Sequence, residues 1–215
     1  MGQFLVALIV LLVAYPFIDE LKHGELIENV LMTIIQISAV LAVGEGDWVL
    51  TTVLAIPALG GPWMDHYWHG VVPFWIISGA QVVFVGFVVS QLLRFILHAT
   101  RVNSEVLCAG ISAYLMLGLL WMSAYRMVSQ YNPSSFSGVH FTATQTLDRF
   151  DALYLSFVSL TCVGCNDITP ASKVARMLQV MESTTGVLFV AVLIARLVAL
   201  YTRAVEKGPD KETNV

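Results

Sequence analysis

The sequence predicts an all-α membrane protein with six transmembrane helices and one shorter helix that enters the bilayer and returns. Three observations predict it. The 215 residues are 57% hydrophobic and 12% charged, against about half apolar and about a quarter charged in a soluble domain. Six apolar runs alternate with polar or breaker residues. A further run, residues 150–160, has about half the length that a bilayer crossing needs. The composition excludes a soluble enzyme, whose surface it could not cover, and a disordered chain, which needs low hydrophobicity and high charge. A net charge of −4 without a basic tail argues against nucleic acid as a partner. Three cysteines are too few for a disulfide scaffold.

The first run is residues 4–18. Met1-Gly2-Gln3 has no Lys or Arg and no small-x-small site follows, so the run reads as a retained span rather than a cleaved signal. Val6 stands where a myristoylation motif requires Ser or Thr. Residues 26–43 form the second run, interrupted by Glu28, Asn29 and Gln36. The short third run, 48–59, stops at Gly60-Gly61-Pro62. The fourth, fifth and sixth runs are 71–97, 102–128 and 174–201, and a polar stretch, 129–148, precedes the short run. Basic residues set orientation. Arg94 and Arg101 flank the fourth-to-fifth join, while Arg196, Arg203, Lys207 and Lys211 surround the end of the sixth run. Placing both clusters inside puts both termini in the cytoplasm, with six crossings of the plasma (inner) membrane. The acidic second-to-third connection, 44–47, is then cytoplasmic, but acidic residues weigh little in the rule. The third-to-fourth connection is external and holds Trp63, Asp65, His66, Tyr67, Trp68 and His69. Asp65, His66 and His69 offer metal-ligand chemistry. An aromatic belt at the headgroups is the favoured reading, because one short loop cannot close a ligand shell alone.

Residues 151–170 hold the densest motif. A short apolar helix leads to a small-residue loop, then Asp167, a proline turn and a long apolar helix. This resembles the pore region of the potassium-channel superfamily, whose typical pattern is Tyr-x-Ser-Phe-Val-Thr-Leu-Thr-Thr-x-Gly-Tyr-Gly-Asp-Ile-Thr-Pro. Tyr154, Ser156, Phe157, Val158, Leu160, Thr161, Gly164, Asp167, Ile168, Thr169 and Pro170 fit it. The likeness runs back through Ala113-Tyr114 to Trp121 and forward to Ala195-Arg196-Leu197. It looks most like the small bacterial ion-channel family in which four less typical spans precede the pore. The resemblance implies a homotetramer in lipid. It implies a selectivity filter made of Thr161, Cys162, Val163, Gly164, Cys165, Asn166 and Asp167. Permeating potassium would be the ligand, with no other cofactor and no catalysis. Residues 1–100 would be a four-span scaffold, 101–205 the pore domain and 206–215 a cytoplasmic tail. The physics agrees. Carbonyl rings can replace an ion's hydration shell, one chain supplies only one strand of such a ring, and non-helical backbone at membrane depth must be surrounded by protein or water.

The departures from the pattern carry their own expectations. A usual filter reads Thr-Val-Gly-Tyr-Gly, whereas this one reads Cys162-Val163-Gly164-Cys165-Asn166. Cys162 puts a thiol, a weak ligand for hard cations, where a hydroxyl normally lines the inner mouth. A Cys there also resembles the weakly selective pacemaker-type cation channels. Cys165 removes the ring that packs behind the outer filter. Asn166 replaces a Gly but tolerates left-handed backbone. Reduced selectivity for potassium over sodium is therefore expected. Cys162 and Cys165 also form a C-x-x-C, which opens a rival reading as a membrane thiol-disulfide oxidoreductase. The second rival is a non-conducting channel-like subunit.

Other charges refine the reading. Residues 71–93 contain no Lys or Arg, so the first four spans form no voltage sensor. The tail after Tyr201 is too short for a ligand-binding domain. Glu182 lies about 12 Å along its helix from Val174. It is read as a carboxyl bracing the pore helix or filter, with a water-facing carboxyl as the alternative. Cys108 reads as a small buried residue and Arg196 as a snorkelling cation. Gly186 is a hinge candidate, with close helix packing between subunits as the alternative. Val187, Val190 and Ile194 share one helical face and would line an apolar cavity, or face lipid.

Overall fold

The computed structural model describes residues 2–19, 24–43, 54–58, 60, 63, 74–99, 103–138, 146–164 and 167–206. Among the described residues, six long or medium helices carry the fold. They are α1 (Gly2–Asp19), α2 (Gly24–Val43), α3 (Phe74–His98), α4 (Ser104–Tyr131), α5 (Arg149–Leu160) and α6 (Lys173–Glu206). Three stretches are long and apolar enough to cross a bilayer by length and composition: Trp75–His98, Ser104–Tyr131 and Lys173–Thr202. They match the fourth, fifth and sixth predicted runs. α1 and α2 cover the first two runs, and residues 54–58 of the third run are helical.

α4 is the hub. It packs along α3 on one side, against α1 on another, and against α5 and α6 on the face that leads to the short helix. Small residues permit this crowding. Ala109, Gly110, Ser112, Ala113 and Gly118 are all buried on α4. A Cβ on Gly118 would sit 2.7 Å from Phe157 Cε2, so α5 can lie this close only to a glycine. α4 runs three residues past the predicted end. It stops at Asn132, whose N–H donates to the Val128 carbonyl, because Pro133 cannot continue a helix.

Two departures from an all-helical reading lie in the connections. β1 (Phe136–Gly138) and β2 (Ile168–Pro170) pair antiparallel, with Ser137 opposite Thr169. The ribbon fastens the chain entering the short helix to the chain leaving the loop. Thr169 Oγ1 donates to the Ser137 carbonyl at 3.1 Å, and Ala171 N donates to the Ser135 carbonyl at 2.8 Å. Three-residue strands have no readable alternation, so sequence pattern does not mark them. The second departure is Arg196, read from sequence as a snorkelling cation. Its Nη2 donates to the carbonyls of Leu97 at 2.6 Å and Ala99 at 3.0 Å, at the C-terminal end of α3. A cation at those unsatisfied carbonyls meets the negative end of the helix dipole.

Candidate functional site

The site is built around α5. Asp148 precedes the helix with extended backbone, and its Oδ1 accepts from Asp151 N at 2.7 Å, a side-chain N-cap. Leu147 N donates to Ser129 Oγ at 2.6 Å, which fixes the entry of α5 to the end of α4. The helix starts at Arg149 and ends at Leu160, one residue longer than predicted. Its exit is tightly turned. Thr161 N donates to Phe157 O, Cys162 N to Ser159 O and Val163 N to Val158 O. Cys162 adopts φ +56° and Gly164 φ +81°. Left-handed backbone at a non-glycine residue costs about 1–2 kcal/mol, so neighbouring contacts must hold Cys162. Its Sγ lies 3.8 Å from the Ser183 carbonyl, within sulfur hydrogen-bond range.

Thr161, Cys162, Val163 and Gly164 are exposed in the single chain, Val163 by 78%. A large apolar side chain so bare at the end of a buried helix marks a surface shaped for something other than its own chain. Asp167 lies where the chain turns back, and its Oδ1 accepts from Tyr154 OH at 3.4 Å. Cys165 and Asn166 lie outside the described residues, as do Asp65, His66 and His69. Among the described residues no group of three or more His, Cys, Asp or Glu side chains could hold a metal ion.

Behind the loop, α6 is fastened to α5 by a ladder of polar contacts. Glu182 is fully buried, and both carboxyl oxygens are engaged. Ser156 Oγ donates to Glu182 Oε1 at 2.6 Å and also lies 2.7 Å from the Gly118 carbonyl. Tyr125 OH donates to Glu182 Oε2. The carboxyl thus joins α4, α5 and α6 at one point. Nearby, Ser183 Oγ donates to the Ser159 carbonyl at 2.9 Å, and Gln179 Nε2 donates to Ser159 Oγ at 3.1 Å. Tyr114 OH donates to the Leu160 carbonyl at 3.3 Å. A Cβ on Gly186 would run into that same carbonyl, so the glycine is required by close packing of α6 on α5 within one chain.

Sequence reasoning missed Tyr125, Gln179 and Ser183. A signal was present for two of them. Gln179, Glu182, Ser183 and Gly186 fall at i, i+3, i+4 and i+7, a polar and small stripe along one helical face. Ser156 and Ser159 repeat at i, i+3 on α5. Tyr125 carried no local signal. The face of Val187, Val190 and Ile194 is exposed in the single chain, but so are Leu188 and Val192, so the protomer does not distinguish a cavity-lining face.

Comparison with known proteins agrees with this arrangement. Residues 113–203 match the family described as "Ion channel". A 65-residue stretch is 35% identical to Two-pore potassium channel 4 of Arabidopsis thaliana, covering 30% of this chain and 23% of that protein. No solved structure gives a significant match.

Proposed function

We propose that the chain is one subunit of a tetrameric cation channel of the potassium-channel superfamily, a reading supported by the match of residues 113–203 to the family described as "Ion channel" and by the local likeness to a two-pore potassium channel. Four copies of the loop at residues 161–167 surround the conduction axis, and their backbone carbonyls replace the hydration shell of a monovalent cation. Potassium is the principal ion, with sodium also admitted, because Cys165 and Asn166 lack the ring and backbone that hold a usual outer filter. Six crossings per chain place both termini in the cytoplasm of a plasma-membrane protein. Glu182 braces the short helix against α4 and α6. Val187, Val190 and Ile194 face an apolar cavity below the filter, with Gly186 at its upper end.

The observation that carries this reading is the bareness of the loop and of α6. Only 17% of the most apolar window of α6 is buried in the protomer, against 39% for α3 and 61% for α4. Copies of the chain would cover one part of that surface, and an ion path another. The test is reconstitution of the purified chain in vesicles, with its oligomeric state measured in parallel. Expected are a tetramer, a potassium flux, and a reversal potential between the potassium and sodium equilibrium values. Cys165→Tyr combined with Asn166→Gly should move that potential toward potassium. The changes belong together because contacting residues rarely act additively. A functional monomer, or a wild type that already reverses at the potassium value, defeats the tetramer or the altered-filter argument respectively. A tetramer without flux identifies a non-conducting subunit.

A further inference from the structure

Behind the short helix the two carboxyl oxygens of Glu182, the hydroxyls of Tyr125 and Ser156 and the Gly118 carbonyl meet in one cluster. The hydrogens available to that cluster can be counted. Glu182 is fully buried. Its hydrogen-bond partners are two hydroxyls, Tyr125 OH from α4 and Ser156 Oγ from α5, and no cation is among them. Ser156 Oγ lies 2.6 Å from Glu182 Oε1 and 2.7 Å from the Gly118 carbonyl. Both separations are those of full O–H···O bonds, which need a hydrogen nearly in line between the two oxygens. A serine hydroxyl has one hydrogen, and it cannot lie in line with both acceptors. With an ionised carboxylate the cluster holds three contacts and only two hydroxyl hydrogens, so one contact presses two oxygens together with nothing between them. A carboxylic acid supplies the missing hydrogen. Glu182 Oε1–H then donates to Ser156 Oγ, Ser156 O–H donates to the Gly118 carbonyl, and Tyr125 O–H donates to Oε2. Every contact holds one hydrogen. Burial points the same way, because a carboxylate sealed from water among neutral groups is far more costly than a neutral acid.

We propose that Glu182 is a proton-binding site: it works as a neutral carboxylic acid, and its hydrogen ties α6 to the short helix and, through Ser156, to α4. Removing the proton turns the Ser156 hydrogen toward Glu182 and away from Gly118, on which Phe157 of α5 packs. The short helix then loses a tie to α4, and the cluster gains an unpaired charge. The bound proton is independent of the channel reading, whereas its effect on ion flow rests on it. Other titratable groups surround the cluster. Besides Tyr125, α4 presents Tyr114, which is within electrostatic reach of both Glu182 and Cys162 at the exit of α5. Further out, Asp167 accepts from Tyr154 OH at 3.4 Å, and Arg176 Nε donates to the Pro170 carbonyl at 3.2 Å.

The test reads the carboxyl directly. The full chain is reconstituted in lipid with isotope-labelled glutamate, and its infrared spectrum at neutral pH is compared with that of Glu182→Gln. Expected in the difference is the carbonyl stretch of a protonated carboxyl. In Ser156→Ala that band should move to higher frequency, because the acid has lost its acceptor. Carboxylate bands in its place overturn the proposal. Gln is the neutral isostere, able to donate to Ser156 and accept from Tyr125, so Glu182→Gln should keep its thermal midpoint within about 3 °C of the parent. If that variant does not fold, Ser156→Ala decides alone, since an ionised Glu182 has no acid band to move. Raising the pH until the acid band disappears should reduce potassium flux in the parent and leave it unchanged in Glu182→Gln. An equal fall in Glu182→Gln assigns the response to Tyr114, Tyr125 or Cys162 and overturns the link between this proton and the short helix. An acid band without flux in any chain upholds the proton site and defeats the channel reading, while flux with carboxylate bands does the reverse.

Discussion

α4 and α6 are both long, apolar and able to cross a bilayer, yet they solve different problems. The most apolar window of α4 is 61% buried within one chain, against 17% for α6. α4 meets four other helices, α1, α3, α5 and α6, and is lined with small residues where they approach. α6 is held to α5 by a stripe of Gln179, Glu182, Ser183 and Gly186, with further ties from Glu182 to Tyr125 of α4 and from Arg196 to the end of α3. Its remaining surface shows Val174, Met177, Val180, Val187, Leu188, Val192, Ile194 and Val198 to the outside. In lipid, apolarity does not reveal which helix is central, because tails solvate a bare helix as well as protein does. Small residues and polar stripes reveal it instead.

This contrast can be broken most severely at its single shared point. Glu182→Ala removes an acceptor of Tyr125 and one of the two acceptors within reach of Ser156, which keeps the Gly118 carbonyl, at about 1–3 kcal/mol for a buried group left unsatisfied. The expected result is a large fall in thermal midpoint and loss of flux. Tyr125→Phe, which removes one of the two bonds, should cost less. A Glu182→Ala protein with wild-type stability and conduction would show that the carboxyl is a passenger.

Next in size is a change inside α4. Met116 is buried at the helix centre, and Met116→Ala should cost about 2–5 kcal/mol by cavity formation. Its signature should be a lower unfolding midpoint with the assembled state unchanged once folded. Dissociation of the oligomer before unfolding would mean that α4 also serves an intersubunit contact.

The bare face of α6 should respond in the opposite way. Val187→Thr with Ile194→Thr touches little within the protomer, so unfolding of the single chain should shift by less than about 0.5 kcal/mol per site. Conductance or oligomer lifetime should change instead, and size-exclusion chromatography with flux assays separates the two. A destabilised protomer with normal assembly would reverse the assignment of that face.

The smallest structural effect belongs to the loop. Cys162→Ser, which adds no β-branch at the left-handed backbone of residue 162, should leave stability nearly unaltered while removing soft-metal sensitivity, because thiolates bind cadmium and silver far better than hydroxyls do. Micromolar-range cadmium block in the parent and its loss in the variant are the expected pair. Block that persists would transfer the sensitivity to Cys165 or Cys108.

Much of this architecture was readable before any coordinates. The short helix was bounded to within one residue, since an apolar run that stops halfway across a bilayer, after Asp148 and before a small-residue loop, has few alternatives. Glu182 stood out because an ionisable group inside an apolar span needs a protein partner. Arg196 was harder. A cation near a helix end is ordinary, and only packing shows that it serves the C-terminal carbonyls of α3, a helix that ends about a hundred residues earlier in the chain. Gly186 was ambiguous for a similar reason, because both hinges and close contacts select glycine.

What the sequence determined alone is therefore what local chemistry dictates: the membrane class, the lengths of the apolar runs, the short helix and its cap, and the motif that follows it. Each follows from residues within a few turns of one another and from the requirement that backbone in lipid satisfy its own hydrogen bonds. Only the tertiary structure decided which hydroxyls reach Glu182 from 26 and 57 positions away, and which carbonyl excludes a side chain at Gly186. Those pairings depend on how helices rotate and tilt against each other. In a bilayer that choice is governed by close packing and by the need to satisfy buried polar atoms, to which the hydrophobic pattern of any single helix is nearly blind.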